Sequence, residues 1–196
     1  MTMSDDEYSS EDKKIAQLYQ DASDYSEQGD YERAIDSYKQ IIRIYPDDLE
    51  AHWCLGHTLL ENNEIGRAID IFIQGILRDR ENEQNFHGEL GICYQKIKKY
   101  SEAAEEFKKA LHAEPDIEVL YSLLAECYIE MEEYDKAIRL CKKGIEYIGE
   151  DGSLYGYVGY SYLMMKLKKD LKDGINISKT EIKLIESLKK EIFLKD

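Results

Sequence analysis

The sequence predicts an all-α chain: a stack of antiparallel helix pairs closed by a C-terminal capping helix. Three observations predict it. A block recurs along the 196 residues, with Ala34, Ala68, Ala103 and Ala137 in register at separations of 34, 35 and 34. Within each block, apolar residues fall at helical spacing in two runs of about a dozen residues divided by a polar turn. Only two prolines occur, Pro46 and Pro115, and each closes a block, which leaves long uninterrupted helices between them.

The first run of the first block carries Leu18, Ala22 and Tyr25, and the second Ala34, Tyr38 and Ile41. Glu27-Gln28-Gly29-Asp30 separates them, as Glu61-Asn62-Asn63-Glu64 does one block later. Asp48 and Asp116 stand where N-caps of the following helices are expected. Three more registers accompany the alanines. Ala22, Gly56, Gly91, Ala125 and Gly159 are small; Tyr25, Leu59, Tyr94, Tyr128 and Tyr162 are large; Tyr31, Ile65, Tyr100 and Tyr134 form the last. A small residue lets a partner helix approach, and a ring one turn away fills the space beside it. Eight of the 16 tyrosines are thereby explained as packing residues whose hydroxyls reach outward.

This pattern resembles the tetratricopeptide repeat (TPR). The small residue, the Tyr, the Ala, the ring at Tyr38, Phe72 and Phe107, and the closing Pro recur together from about Ile15 to Asp151. The expected organisation is an acidic, disordered tail over 1–14, then a solenoid over 15–172. Its repeats run at about 15–48, 49–83, 84–117 and 118–151, with a partial fifth from 152. The fifth departs from the pattern where Leu171 stands among Lys168, Lys169, Asp170 and Lys172, so its helix is expected to be lengthened or frayed. A loop and capping helix over 173–196 follow. Ser178-Lys179-Thr180-Glu181 reads as a capping box, and Ile182, Ile185, Leu188 and Ile192 as the stripe that covers the open end of the stack.

The resemblance implies a superhelix whose first helices line a concave groove. It carries the groove positions onto Tyr19, Trp53, His57, Glu89, Ile92, Leu123, Glu126, Ile129, Tyr157 and Tyr160. Trp53 leads this set, although the family often places a core-facing Trp one residue earlier, where this chain has His52. A slight helix rotation would make Trp53 a core residue. Aromatic and aliphatic groups beside carboxylates suit an amphipathic or basic segment of another protein. The two-carboxylate clamp by which some TPR proteins hold acidic chaperone tails is excluded. Its Lys and Arg positions fall here on Tyr19, Asn85 and Glu89, none of them a cation.

Composition narrows the function further. With 26 Lys and Arg against 41 Asp and Glu, the net charge is −15, which disfavours nucleic acid and anionic membranes as partners. The charge is uneven: residues 1–165 carry 17 basic and 35 acidic groups, whereas 166–196 carry nine and six. This last stretch is expected to be a solvated helix face, or else to dock on an acidic surface such as the head of another copy. No run reaches the ~18 apolar residues of a membrane span, and the acidic start does not read as a secretory signal, so a cytoplasmic location is expected. Cys54, Cys93, Cys127 and Cys141 are expected as reduced thiols. His52, His57, His87 and His112 lack metal-ligand spacing, and Gly152, Gly156 and Gly159 lack the dinucleotide-binding pattern. Neither metal, cofactor nor enzymatic activity is expected. The expected function is that of a non-enzymatic interaction module: a scaffold, adaptor or co-chaperone. Two other roles are a chaperone for a secreted bacterial substrate, whose known examples usually have three repeats, and a self-assembling structural protein.

Overall fold

The computed structural model describes residues 10–78, 83–149, 152–175 and 178–193. The described residues form ten α-helices and no β-strand. They are α1 (Ser10–Glu27), α2 (Tyr31–Ile44), α3 (Leu49–Glu61), α4 (Ile65–Arg78), α5 (Glu83–Lys96), α6 (Tyr100–Ala113), α7 (Glu118–Glu130), α8 (Tyr134–Ile148), α9 (Gly152–Lys172) and α10 (Lys179–Phe193). The chain divides into two compact halves, Met1–Cys93 and Tyr94–Asp196. Most of the expected tail over 1–14 lies outside the described residues; Ser10–Lys14 form the first turn of α1.

The alanine register is the spine of both halves: Ala34, Ala68, Ala103 and Ala137 are all fully buried. The small-residue register works as close packing requires. A Cβ on Gly56 of α3 would overlap the Phe72 ring of α4; outside that register the second helices have tight glycines of their own, and a Cβ on Gly75 of α4 would overlap Phe86. In the C-terminal half, a Cβ on Gly144 of α8 would stand 2.8 Å from the Tyr121 ring of α7. Such positions leave no room for even a methyl group. Gly159 breaks the register, because a Cβ there would meet nothing within 4 Å. The fifth repeat supplies no ring opposite it: α9 runs on unbroken for 21 residues, about two turns longer than α3, α5 or α7.

The polar turns share one geometry. Gly29, Asn63, Lys98 and Glu132 all have φ between 59° and 74°, the left-handed region. After each, a backbone N–H reaches back to the carbonyl five residues earlier: Asp30 to Tyr25, Glu64 to Leu59, Lys99 to Tyr94 and Glu133 to Tyr128, at 2.8–2.9 Å. This is the Schellman C-cap, which satisfies carbonyls orphaned at a helix end. Gly174 repeats it after α9, with Ile175 N–H on the Asp170 carbonyl. Only the first and last of these five positions carry the glycine that the backbone favours.

Two expected caps part ways. Asp48 caps α3, accepting from the Ala51 N–H at 2.9 Å. Asp116 does not cap α7, because Ile117 occupies that position. The second residue after each proline becomes the cap, which is Asp48 after Pro46 but Ile117 after Pro115. The capping box at α10 forms as the sequence predicts. The Ser178 N–H and hydroxyl both donate to Glu181 Oε2, and the Glu181 N–H donates back to Ser178 Oγ.

Candidate interaction surfaces

In the N-terminal half, the helix register settles which residue faces in. His52 is fully buried and Trp53 is 41% exposed, so the rotation that would bury the indole does not occur. His52 Nδ1 donates to the Asp48 carbonyl at 2.7 Å, since a carbonyl can only accept. Burial pushes the His52 pKa below its ordinary 6.5, against the pull of that hydrogen bond. Trp53 lies over His57, with ring centroids 4.1 Å apart. His57 Nε2 stands 3.0 Å from Glu89 Oε2 of α5, and both atoms are shielded from solvent. Trp53, His57 and Glu89 are therefore one cluster on neighbouring helices, and the half-buried Ile92 lies one turn beyond Glu89 on α5. The Glu89 carboxylate is turned toward His57 and its side chain is only 17% exposed, so it is a weaker anchor for a foreign cation than its position implied.

Tyr19 is tied down. Its hydroxyl donates to Asp48 Oδ1 at 2.8 Å, joining α1 to the cap of α3, and its ring packs edge-on against Tyr38 at 6.1 Å. Burial, then Asp48, holds this phenol protonated far above the usual range. Only part of the ring faces outward.

The C-terminal half differs. Ile129, Tyr157 and Tyr160 were expected to line the groove, but they are 4%, 6% and 6% exposed and belong to the core. The reason is α10. Ile185 and Ile192 of α10 pack against that core, and Ile192 sits where a Cβ on Gly156 of α9 would be 3.5 Å away. Lys189 Nζ donates to Glu130 Oε1 of α7 at 2.5 Å. The capping helix thus lies on the face that α7 and α9 share. Leu123 stays half-buried on α7, and Glu126 accepts from Gln95 Nε2 at 2.8 Å. Burial raises the Glu126 pKa above its ordinary 4.5, opposed by the Gln95 hydrogen bond. A carboxyl so engaged is a poor lure for a partner's lysine. The sequence shows α10 as amphipathic but carries no signal of which face it would cover.

No cluster of metal-ligating side chains occurs among the described residues. None of the four cysteines is in a disulfide, and burial drives the Cys127 thiol up to about 12, far from the reactive range. No helix among the described residues is long and apolar enough to cross a membrane.

Paired helices with buried small–aromatic contacts, repeated caps and an exposed aromatic cluster define a helical-repeat interaction protein. Two family models match: a tetratricopeptide repeat model over residues 97–157 and a TPR repeat model over 22–63, together just over half the chain. The chain belongs to the tetratricopeptide repeat proteins. Among curated proteins, the BBSome complex member BBS4 of Bos taurus is 26% identical over 98 residues, which is 50% of this chain and 18% of that protein. The chain thus spans less than a fifth of that relative's length. Solved structures agree on the fold. A piece of MamA from Desulfovibrio magneticus RS-1 matches at TM-score 0.70 and 20% identity, covering 91% of this chain and 96% of that one. TTC0263, a thermophilic TPR protein of Thermus thermophilus, matches at 0.59 and 20%, covering 76% and 81%.

Proposed function

We propose that this chain is a non-enzymatic scaffold or adaptor whose N-terminal half holds a segment of a partner protein on the face around Trp53. The observation that carries the reading is the indole itself: a large apolar ring, held in a tilted contact against His57 yet left open to solvent. Fixed aromatic rings are favoured binding anchors, because burying one releases much water and orders little that is not already ordered. The half around it has 8 Lys and Arg against 21 Asp and Glu. A field of that sign favours a basic, amphipathic segment with an apolar side chain for Trp53. Ile92 extends the apolar surface, and Tyr19 offers a ring edge. Four thiols with no disulfide suit a reducing compartment, so the cytoplasm is the proposed site of action.

Trp53 is the chain's single tryptophan, so its emission reports on this face alone. A partner recovered by affinity capture should shift that emission to the blue on titration, and Trp53→Ala should reduce capture. Capture with unchanged emission, and undiminished by Trp53→Ala, would place the binding surface elsewhere.

A further inference from the structure

A second surface lies in the C-terminal half, on helices that the reading above does not use. Between α6 and α8, with α7 as its floor, is a cleft of about 480 Å³. Its floor is apolar, with Leu111, Leu124 and Leu140 beside the ring of Tyr121. The Tyr121 hydroxyl donates to the Pro115 carbonyl at 2.8 Å, which fixes that ring. Its rim is cationic. Lys108 comes from α6, and Lys136, Arg139 and Lys143 from α8, with the His112 ring of α6 beside them, and among the described residues no acidic side chain lines the cleft. In a chain of net charge −15 this is the opposite of what chance placement would give.

The rim cations are not all neutralised by the chain. Lys108 pairs with Glu105, and Lys136 with Glu133. Arg139 has no carboxylate within ion-pair distance among the described residues. Lys143 instead lies over the ring of Tyr147, 5.5 Å from its centroid, and that ring is 57% exposed. Two cations are thus left for a ligand beside an apolar trough. The volume of the trough, about 480 Å³, falls within the roughly 300–1,000 Å³ common for ligand pockets.

We propose that this cleft binds an acidic peptide segment of another protein, with an apolar side chain on the leucine floor and flanking carboxylates on Arg139 and Lys143. Nucleic acid fits less well. On their other side Lys136 and Arg139 border Glu132, Glu133 and Asp135, so the basic area stops at the rim, whereas a polyanion needs a continuous basic track. The partner's charge is opposite to that proposed for the Trp53 face, so the two surfaces would take different segments.

The test is fluorescence anisotropy of the full chain with a labelled Asp-Asp-Glu-Leu-Phe-Glu-Asp peptide. The expected result is saturable binding that weakens as salt rises. Arg139→Glu with Lys143→Glu should weaken it at least about ten-fold, since reversal replaces two attractions by repulsions. Lys183→Glu with Lys190→Glu, on exposed sites of α10, changes the net charge equally and should leave affinity unchanged within about two-fold. Equal loss in both double variants would show a mere net-charge effect and overturn the proposal. So would no loss in the first variant, or equal affinity for a Lys-for-Asp/Glu version of the peptide. Displacement by an equal concentration of a ten-nucleotide single strand would assign the cleft to nucleic acid instead. A smaller sedimentation coefficient for the Arg139 and Lys143 variant than for the wild type would assign it to a second copy of the chain.

Discussion

The two halves are built from the same repeat and present different surfaces. The N-terminal half has 8 Lys and Arg against 21 Asp and Glu, and leaves Trp53 open over His57 and Glu89. The C-terminal half has 18 against 20, covers the face shared by α7 and α9 with α10, and carries a cationic cleft between α6 and α8. The alanine register is equally buried in both. What distinguishes them is not the repeat but the residues the repeat leaves free, together with one added helix. A repeat fixes the scaffold, and departures from it select the partner.

The contrast is sharpest in the small-residue register. Gly56→Ala, which drives a methyl group into the Phe72 ring, should cost about 3 kcal/mol in denaturant unfolding. Gly159→Ala meets open space within a helix and should instead stabilise by about 0.5–1 kcal/mol. Equal costs at both sites would mean that the fifth repeat packs like the others.

Covering by α10 can be broken next. Lys189→Glu faces the Glu130 carboxylate with a like charge and should loosen α10, raising amide exchange across Ile182–Phe193. The pair is partly exposed, so the loss should be about 1 kcal/mol or less, and Glu130→Lys in the same chain should restore protection.

A smaller effect lies in the caps. Lys98→Gly and Glu132→Gly relieve a left-handed backbone that L side chains resist, and each should stabilise by about 0.5–1 kcal/mol. Gly29→Ala should do the reverse.

The smallest effect is electrostatic. The Glu126 pKa is raised on folding, so its contribution is fully present below 4.5 and is lost as pH rises through the folded value. Glu126→Gln keeps a carbonyl for Gln95 and removes the buried charge. It should raise the melting temperature at pH 7 and leave it unchanged near pH 4.

Much of the fold was legible because repetition multiplies each signal. One alanine says little, but four at a fixed pitch specify a helix crossing. Asp48 and the Ser178–Glu181 box were legible because capping is local chemistry. Asp116 misled by one residue, since the proline sets where the next helix starts and Ile117 takes that place. The Schellman turns were hidden because Lys98 and Glu132 do not announce a left-handed backbone. At the surface, Trp53 was legible as the lead residue, but its exposure depended on which of two adjacent residues turned inward. Ile129, Tyr157 and Tyr160 were assigned by register to a face that α10 covers, and the docking of a terminal helix is a tertiary event that periodicity cannot reveal. The cationic cleft had a trace in sequence, with Lys108 and His112 four apart on α6, and Lys136, Arg139 and Lys143 at helical spacing on α8. The acidic total masked it.

Hydrogen–deuterium exchange of the full chain, with and without a basic partner captured through Trp53, tests the central contrast most directly. The account predicts new protection on α3 and α5 around Trp53 and Glu89, with exchange on α7, α9 and α10 unchanged. Protection on α7 and α9 accompanied by faster exchange in α10 would contradict it, for then the partner would be displacing the chain's own helix from the C-terminal half.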